Sequence, residues 1–335
     1  MRVAVIGAGA VGGLLAALLD RAGHDVAVTA RGEHLAAIRA NGIVLDGGYG
    51  SHVARVAANE TLPQRPDLAI LATKAQDAAA ALAANAANLE GVPLLVMQNG
   101  LGGIRVAGEA LPSSPLVGGL ALFATSYLSP GHITVTAALP LVIGGAPGTS
   151  KAVVDRFAEL LRPALPIEVV EALEGAQWTK LLINHVNALP AITGLSVQDT
   201  VADPRLLRVL AASLRETVGI ANRIGIRFAS LQGIPGWILP WLGRGPLALA
   251  AWLPRRLARR MGDVPNPAST LQSIRRGQLT EIDFLNGAVV RVAREHGREA
   301  PINAALVELV HEVERTGAFL TPADVANRLP IQGRA

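Results

Sequence analysis

RVAVIGAGAVGGLLAALLDRAG, residues 2–23, is a short apolar run that meets a cluster of glycines and then turns helical. Gly7, Gly9 and Gly12 stand in it as G-x-G-x-x-G. The pattern is informative because it follows an apolar strand and opens a helix. In that setting the first glycine permits a tight turn and the second lets the backbone approach a pyrophosphate. The third lets helix and strand pack closely. The first turn of the helix offers N–H groups and partial positive charge to phosphate oxygens. Gly7, Ala8, Gly9, Ala10, Val11 and Gly12 are therefore candidate dinucleotide contacts. A glycine turn in an unliganded α/β domain is the alternative.

The next strand ends DVAVTARGEH, with Arg31 where an NAD site would carry Asp or Glu. A guanidinium there can hold a 2′-phosphate through charge-assisted bonds worth roughly 1.5–3 kcal/mol. The expected cofactor is NADPH/NADP+, with Arg31 as a plain surface charge the alternative. LATKAQD puts Lys74, and MQNG puts Asn99, directly after later strands. That is the carboxyl edge where ligands of such sheets bind. Both are candidate cofactor-side residues, and a helix cap or turn is the alternative for each.

To about residue 170, apolar strands alternate with helical stretches: LAILAT, AQDAAAALAANAANL, PLLVM, then GGLALFATSY, GHITVT and LPLVIGG. IVLDGGYGSHVARV reads as a hairpin. The alternation predicts an α/β fold with a doubly wound, mainly parallel sheet. Beyond it the pattern is helical throughout, with apolar residues at three- and four-residue steps. We expect an NADP-binding domain over 1–171 and a helical domain over 172–330. The boundary lies in IEVVEALEG (167–175), with one long helix starting near Ala172.

A chain of 335 residues exceeds what one core usually serves. No cysteine occurs, which excludes disulfides, thiolate zinc sites and a cysteine nucleophile, and fits a reducing cytosol. The opening MRVAVIG lacks a charged leader, so no signal peptide is read. The most apolar later run, GWILPWLGRGPLALAAWLP, is broken by Pro240, Arg244, Gly245 and Pro246. A spanning helix needs about 20 uninterrupted apolar residues. No integral membrane segment and a cytoplasmic location are expected. The net charge is +4 and the one basic cluster is PRRLARR at 254–260, so no nucleic-acid partner is expected. The histidines show no metal-site spacing, so no metal is expected.

Lysine usage sharpens the reading. Only Lys74, Lys151 and Lys180 occur, against 27 arginines. A lysine kept in an apolar setting is then needed for its compact ammonium and tunable pKa. Lys180 lies in WTKLLINHVNAL (178–189), where Lys180, Asn184 and Asn187 follow one another at steps of four and three. On a continuous helix they form one polar stripe on an otherwise apolar surface. Such groups are costly to bury without partners. His185 points away from the stripe and reads as a packing residue.

GAGAVG, the lysine of LATKAQD, QNG, PGHI, KLLINHVNALPAITG and STLQSIRRGQLTEIDFLNG occur in this order between Met1 and about Leu320. In these motifs the chain resembles the ketopantoate reductase (2-dehydropantoate 2-reductase) family, NADPH-dependent enzymes of pantothenate synthesis. The resemblance implies a Rossmann-type domain followed by an all-helical, 6-phosphogluconate dehydrogenase-like domain, with a 2-oxo acid bound between them. It makes Lys180 the general acid and Glu281 the carboxylate that orients Lys180 and the substrate hydroxyl. Glu281 also stands on the cofactor side. Ser269 is matched to the substrate carboxylate, and Asn184, Asn187 and Asn99 to substrate-side amides.

The chemistry is coherent. Hydride reaching a carbonyl carbon leaves an alkoxide, which needs a proton donor and a positive charge. A cleft lowers the lysine pKa, and a neighbouring carboxylate raises it again. The alternatives are a structural ion pair for Lys180 and Glu281, and an N-cap for Ser269 in its S-x-x-Q pattern.

The chain also departs from the family pattern. Pro190 and Ser273 replace an amide and an acid, and the stretch before Ser269 is longer than in compact members. The added part, about residues 233–260, holds Trp237, Trp241 and Trp252. We expect it to form a lid, ahead of an oligomer contact or a membrane-surface contact. A homodimer is expected. The rival functions are a paralogous 2-oxo-acid or opine-type reductase and a non-catalytic NADP(H)-binding sensor.

Overall fold

The computed structural model describes residues 1–262 and 264–331. The chain divides into two compact units, the first spanning Met1–Leu173 and the second beginning at Glu174.

The first unit is built on an eight-stranded sheet. Its strand order is Ile167–Val169, Leu141–Gly145, Leu116–Ala121, Leu94–Val96, Leu68–Leu71, Arg2–Ile6, Asp25–Thr29, Ala57–Asn59. Every neighbouring pair is parallel except Leu141–Gly145 with Leu116–Ala121. Strands of a parallel sheet are covered on both faces, which is why LAIL at 68–71 is buried at every position. The chain winds outward from Arg2–Ile6 in both directions, so the strand order reverses between Arg2–Ile6 and Leu68–Leu71. The carboxyl ends of that pair are the general ligand position of such sheets.

A second sheet of four strands was not foreseen as a separate layer. The hairpin Ile43–Gly47/His52–Ala54 and the hairpin Ala124–Ser129/His132–Ala137 join through a parallel pairing of Ile43–Gly47 with His132–Ala137. GGLALFATSY, read as one strand, is split: Leu116–Ala121 stays in the large sheet and Ala124–Ser129 enters the small one. The helix Ala10–Arg21 lies between the two layers. Leu14, Leu15, Leu18 and Leu19 share a core with Ile43, Leu45, Ile133 and Val135. Covered on both sides, it is apolar around its circumference and fully buried from Gly12 to Leu19.

The second unit is helical, and its only strand-like feature among the described residues is an isolated bridge between Leu231 and Ile234. Its axis is the helix Pro204–Arg223, begun by Asp203, whose carboxylate accepts from the Arg205 and Leu206 N–H groups. Pro204 at the first position fits this start, since a helix has no use for that N–H.

The single long helix expected from Ala172 is interrupted. Leu173–Asn184 is α-helical, His185–Asn187 forms a 3-10 turn, and Ala188–Thr193 resumes the helix. His185 is fully buried; its Nδ1 lies 2.8 Å from the Leu181 carbonyl and its Nε2 lies 2.8 Å from Thr217 Oγ1. Burial lowers its pKa to about 4. The neutral ring therefore donates to the Leu181 carbonyl and accepts from Thr217. His185 is a packing residue at the tight turn, joined through Thr217 to the buried cluster of Ser213, Asn286 and Asn303.

Candidate active site

In the first unit the glycine loop takes its shape from residues outside the motif. Thr29, the last residue of its strand, accepts the Gly7 N–H on Oγ1 and the Ala8 N–H on its carbonyl, both at 2.9 Å. Gly7 has φ +92°, and a Cβ there would stand 2.7 Å from Thr73 Cγ2. A Cβ on Gly12 would overlap the Gly7 carbonyl oxygen. A Cβ on Gly9 would meet nothing within 4 Å. Gly7 and Gly12 are therefore required by the protein's own packing, whereas the space at Gly9 is open. No side chain caps the helix that follows, so the first-turn N–H groups of Ala10, Val11 and Gly12 are directed outward.

At the same sheet edge, Thr73 Oγ1 and Gln98 Oε1 are buried with no hydrogen-bond partner among the described residues. Gln98 Nε2 lies 3.4 Å from the carbonyls of Thr73 and Lys74. Lys74 begins the 3-10 turn Ala75–Asp77 and Asn99 follows Gln98; both are half-buried. Arg31 is exposed at the end of Asp25–Thr29, at the start of the helix Gly32–Asn41. His34, on that helix, donates from Nε2 to the Ala8 carbonyl at 2.7 Å and accepts the Gly131 N–H on Nδ1 at 3.0 Å. Thr29, His34, Thr73 and Gln98 were missed in the sequence. For the first three, a polar residue at a strand end or helix start was the only signal.

An uncapped helix start, an open glycine and orphaned polar atoms at the reversal point fit a dinucleotide. The pyrophosphate would lie along Gly9–Gly12, and Arg31 is free of ion pairs among the described residues.

In the second unit, Lys180 is half-buried on the helix Leu173–Asn184, and burial lowers its pKa to about 8. No hydrogen bond or ion pair of Lys180 occurs among the described residues. Burial is the cause of the shift. Asn184, one helical turn on, is 9 % exposed, and its amide also has no partner among the described residues. Asn187 is half-buried and precedes the helix Ala188–Thr193 without capping it. A 3-10 turn advances about 120° per residue, so three steps return Asn187 to the side of Asn184.

Ser269 is exposed in the first turn of the helix Ala268–Arg275. It is not the N-cap: the helix begins one residue earlier, after Pro267. Ala268 carries φ +59°, a left-handed conformation costly for alanine, and Asn266 Oδ1 accepts its N–H at 2.9 Å. Glu281 is half-buried at the start of the 3-10 turn Ile282–Phe284. That turn is held from the helix Pro301–Thr316. Glu314 accepts the Thr280 N–H at 2.8 Å, and His311 bridges Glu314 and Asp283 at 2.7 and 3.0 Å.

With this geometry in view, comparison with known proteins is decisive. The family model described as ketopantoate reductase PanE/ApbA matches residues 3–148, and that of the family's C-terminal domain matches residues 172–314. The chain belongs to the ketopantoate reductase family. The 2-dehydropantoate 2-reductase of Archaeoglobus fulgidus is 27% identical over 315 residues, covering 93% of this chain and 98% of that one. A crystal structure of a PanE/ApbA family ketopantoate reductase from Ralstonia eutropha JMP134 is 30% identical. It covers 94% of this chain and 99% of its own, with a TM-score of 0.79. The ternary structure of D-mandelate dehydrogenase with NADH and anilino(oxo)acetate has the same fold, at TM-score 0.80 and 20% identity over 94% and 99% of the chains. The family is one of oxidoreductases with a Rossmann-type unit and a helical unit. Among the described residues no helix is long and apolar enough to cross a membrane.

Proposed function

We propose that this protein reduces 2-dehydropantoate, or a closely related 2-oxo acid, with NADPH. The observation that carries the reading is Lys180: an ammonium with no partner among the described residues, its pKa lowered by burial to about 8, one turn from the Asn184 amide, which also has none among them.

NADPH, when bound, supplies the hydride that reaches the C2 carbonyl. The first-turn N–H groups of Ala10, Val11 and Gly12 bind its pyrophosphate, Gly9 lets it approach closely, and Gly7 and Ala8, whose N–H groups are held by Thr29, shape the loop. Arg31 holds the 2′-phosphate, and Lys74 and Asn99 serve the cofactor at the same sheet edge. Lys180 Nζ carries the proton for the former carbonyl oxygen and stabilises the developing alkoxide. A pKa of about 8 keeps it protonated at neutral pH while weakening its hold on that proton. Asn184 and Asn187 bind polar groups of the substrate, and Asn99 is a further substrate-side amide. Ser269 binds the substrate carboxylate. Glu281 is assigned to the substrate hydroxyl and to orienting Lys180. We take a cytoplasmic homodimer as the working form.

A panel of 2-oxo acids assayed with NADPH tests this reading. The expected result is turnover, with 2-dehydropantoate or a branched relative giving the highest kcat/KM. Tight NADPH binding with no turnover of any 2-oxo acid would point instead to a cofactor sensor.

A further inference from the structure

From Thr217 to Gly262 the chain carries seven arginines and no acidic residue, although its overall net charge is only +4. Most of this stretch forms a layer on the helix Pro204–Arg223. Leu239, Leu242, Leu253 and Leu257 are buried, and Ala250 and Ala251 share a small core with Leu207 and Ala211. The layer is thus part of the folded unit, and its outer side is what calls for an explanation.

Two indoles stand on that outer side. Trp237 is 73 % exposed and Trp241, one turn later, 56 %. Arginine-bearing segments are tied to the turns that carry them. Asn222 Nδ2 donates to the Pro240 carbonyl at 2.9 Å, which holds the Trp241 turn beside the exposed Arg223. Arg260 donates to the Gln232 carbonyl and Arg256 to the Gly233 carbonyl, fixing the end of the helix Trp252–Arg260 against the turn that leads into Trp237. A carbonyl leaves the arginine's charge intact. Arg255 and Arg259 are exposed on the same helix. At the adjoining short helix Asp203 is paired with Arg205, and Asp199 is the one carboxylate there that keeps its charge, bonded to the Ser196 hydroxyl.

We infer that this face docks on an anionic bilayer surface. Indoles favour the headgroup level, where their apolar body and N–H are both accommodated, and arginines beside them attract anionic lipid. A second copy of the chain is the poorer occupant. A two-fold interface would set the patch against itself, placing unneutralised arginines opposite arginines. The lid expected from the sequence has the indoles lining a substrate entrance; docking uses the outward side on which they stand.

The test is co-sedimentation of the full chain with vesicles of phosphatidylcholine alone or mixed with phosphatidylglycerol. Binding is expected on the anionic vesicles, with a blue shift of tryptophan emission, and it should be lost in high salt. Each surface arginine is worth about fivefold in partition. Arg255→Glu with Arg259→Glu should therefore lower binding by at least about 25-fold. Trp237→Ala with Trp241→Ala, both at exposed positions, should abolish the blue shift and lower binding while the helical circular dichroism is unchanged. The inference is overturned by any of three results: no binding to phosphatidylglycerol vesicles; dissociation of a dimer into monomers by the tryptophan pair; or retention on single-stranded nucleic acid in place of vesicles.

Discussion

Gly12 is packed so closely on Gly7 that a methyl group added to Gly12 would overlap the Gly7 carbonyl oxygen, while one added to Gly9 would touch nothing in the protein. The three glycines of one motif thus answer to different demands. Gly12→Ala is expected to destabilise the first unit by roughly 1–3 kcal/mol through overpacking. Gly9→Ala should melt like the wild type yet weaken NADPH binding by at least about tenfold, because its methyl fills the space expected for the pyrophosphate. Thermal melts with fluorescence titration separate the two. A Gly9→Ala protein with unchanged NADPH affinity would remove the phosphates from this loop.

Arg31 stands exposed at the end of the second strand, and the 2′-phosphate is the only part of NADPH that NADH lacks. Arg31→Ala should raise KM for NADPH by about 10- to 100-fold, the equivalent of roughly 1.5–3 kcal/mol, and leave KM for NADH nearly unchanged. Equal KM values for the two cofactors in the wild type would refute the preference.

The lysine pKa fixes the direction of the pH dependence. Reduction needs Lys180 protonated, and its pKa is lowered to about 8. The kcat for reduction should be level at neutral pH and fall tenfold per unit well above about pH 8, while oxidation of the 2-hydroxy acid rises over the same range. A reduction rate that stays level to about pH 10 would mean that Lys180 does not supply the proton.

The turn bearing Glu281 has its own pH signature. Burial disfavours protonated His311, but its bonds to Glu314 and Asp283 prevail and raise its pKa. A raised histidine pKa contributes stability that is full below the unfolded value near 6.5 and lost as pH rises through the folded value. His311→Gln should therefore cost about 0.5–1.5 kcal/mol in denaturant unfolding at about pH 5.5, and little at about pH 8.5. An equal cost at both pH values would show that the ring acts by shape alone.

Much of the fold was legible because its signals are local. Val3, Val5 and the glycines after them announce a strand, turn and helix within a dozen residues. The small sheet was not legible as a separate layer, because Ile43–Gly47 meets His132–Ala137 across some ninety residues of chain. The break after Asn184 was hidden for a different reason. No glycine or proline stands in His185–Asn187, and the turn is coupled to a tertiary contact, His185 with Thr217. Lys180 stood out through its rarity and Asn184 through its spacing. Thr29, Thr73 and Gln98 are ordinary polar residues until the sheet brings them to the glycine loop. Ser269 lies one residue inside a helix whose start depends on a left-handed alanine, which no propensity would suggest.

The central claim is that Lys180 supplies the proton, and Lys180→Met tests it while preserving the bulk of the side chain. The measurement is kcat with NADPH and the best 2-oxo acid, at a cofactor concentration shown by fluorescence to saturate the variant. A fall of about 100- to 10,000-fold with NADPH affinity unchanged is the expected result. If the variant keeps more than about a tenth of the wild-type kcat, the contribution is below ~1.4 kcal/mol and Lys180 is not the general acid.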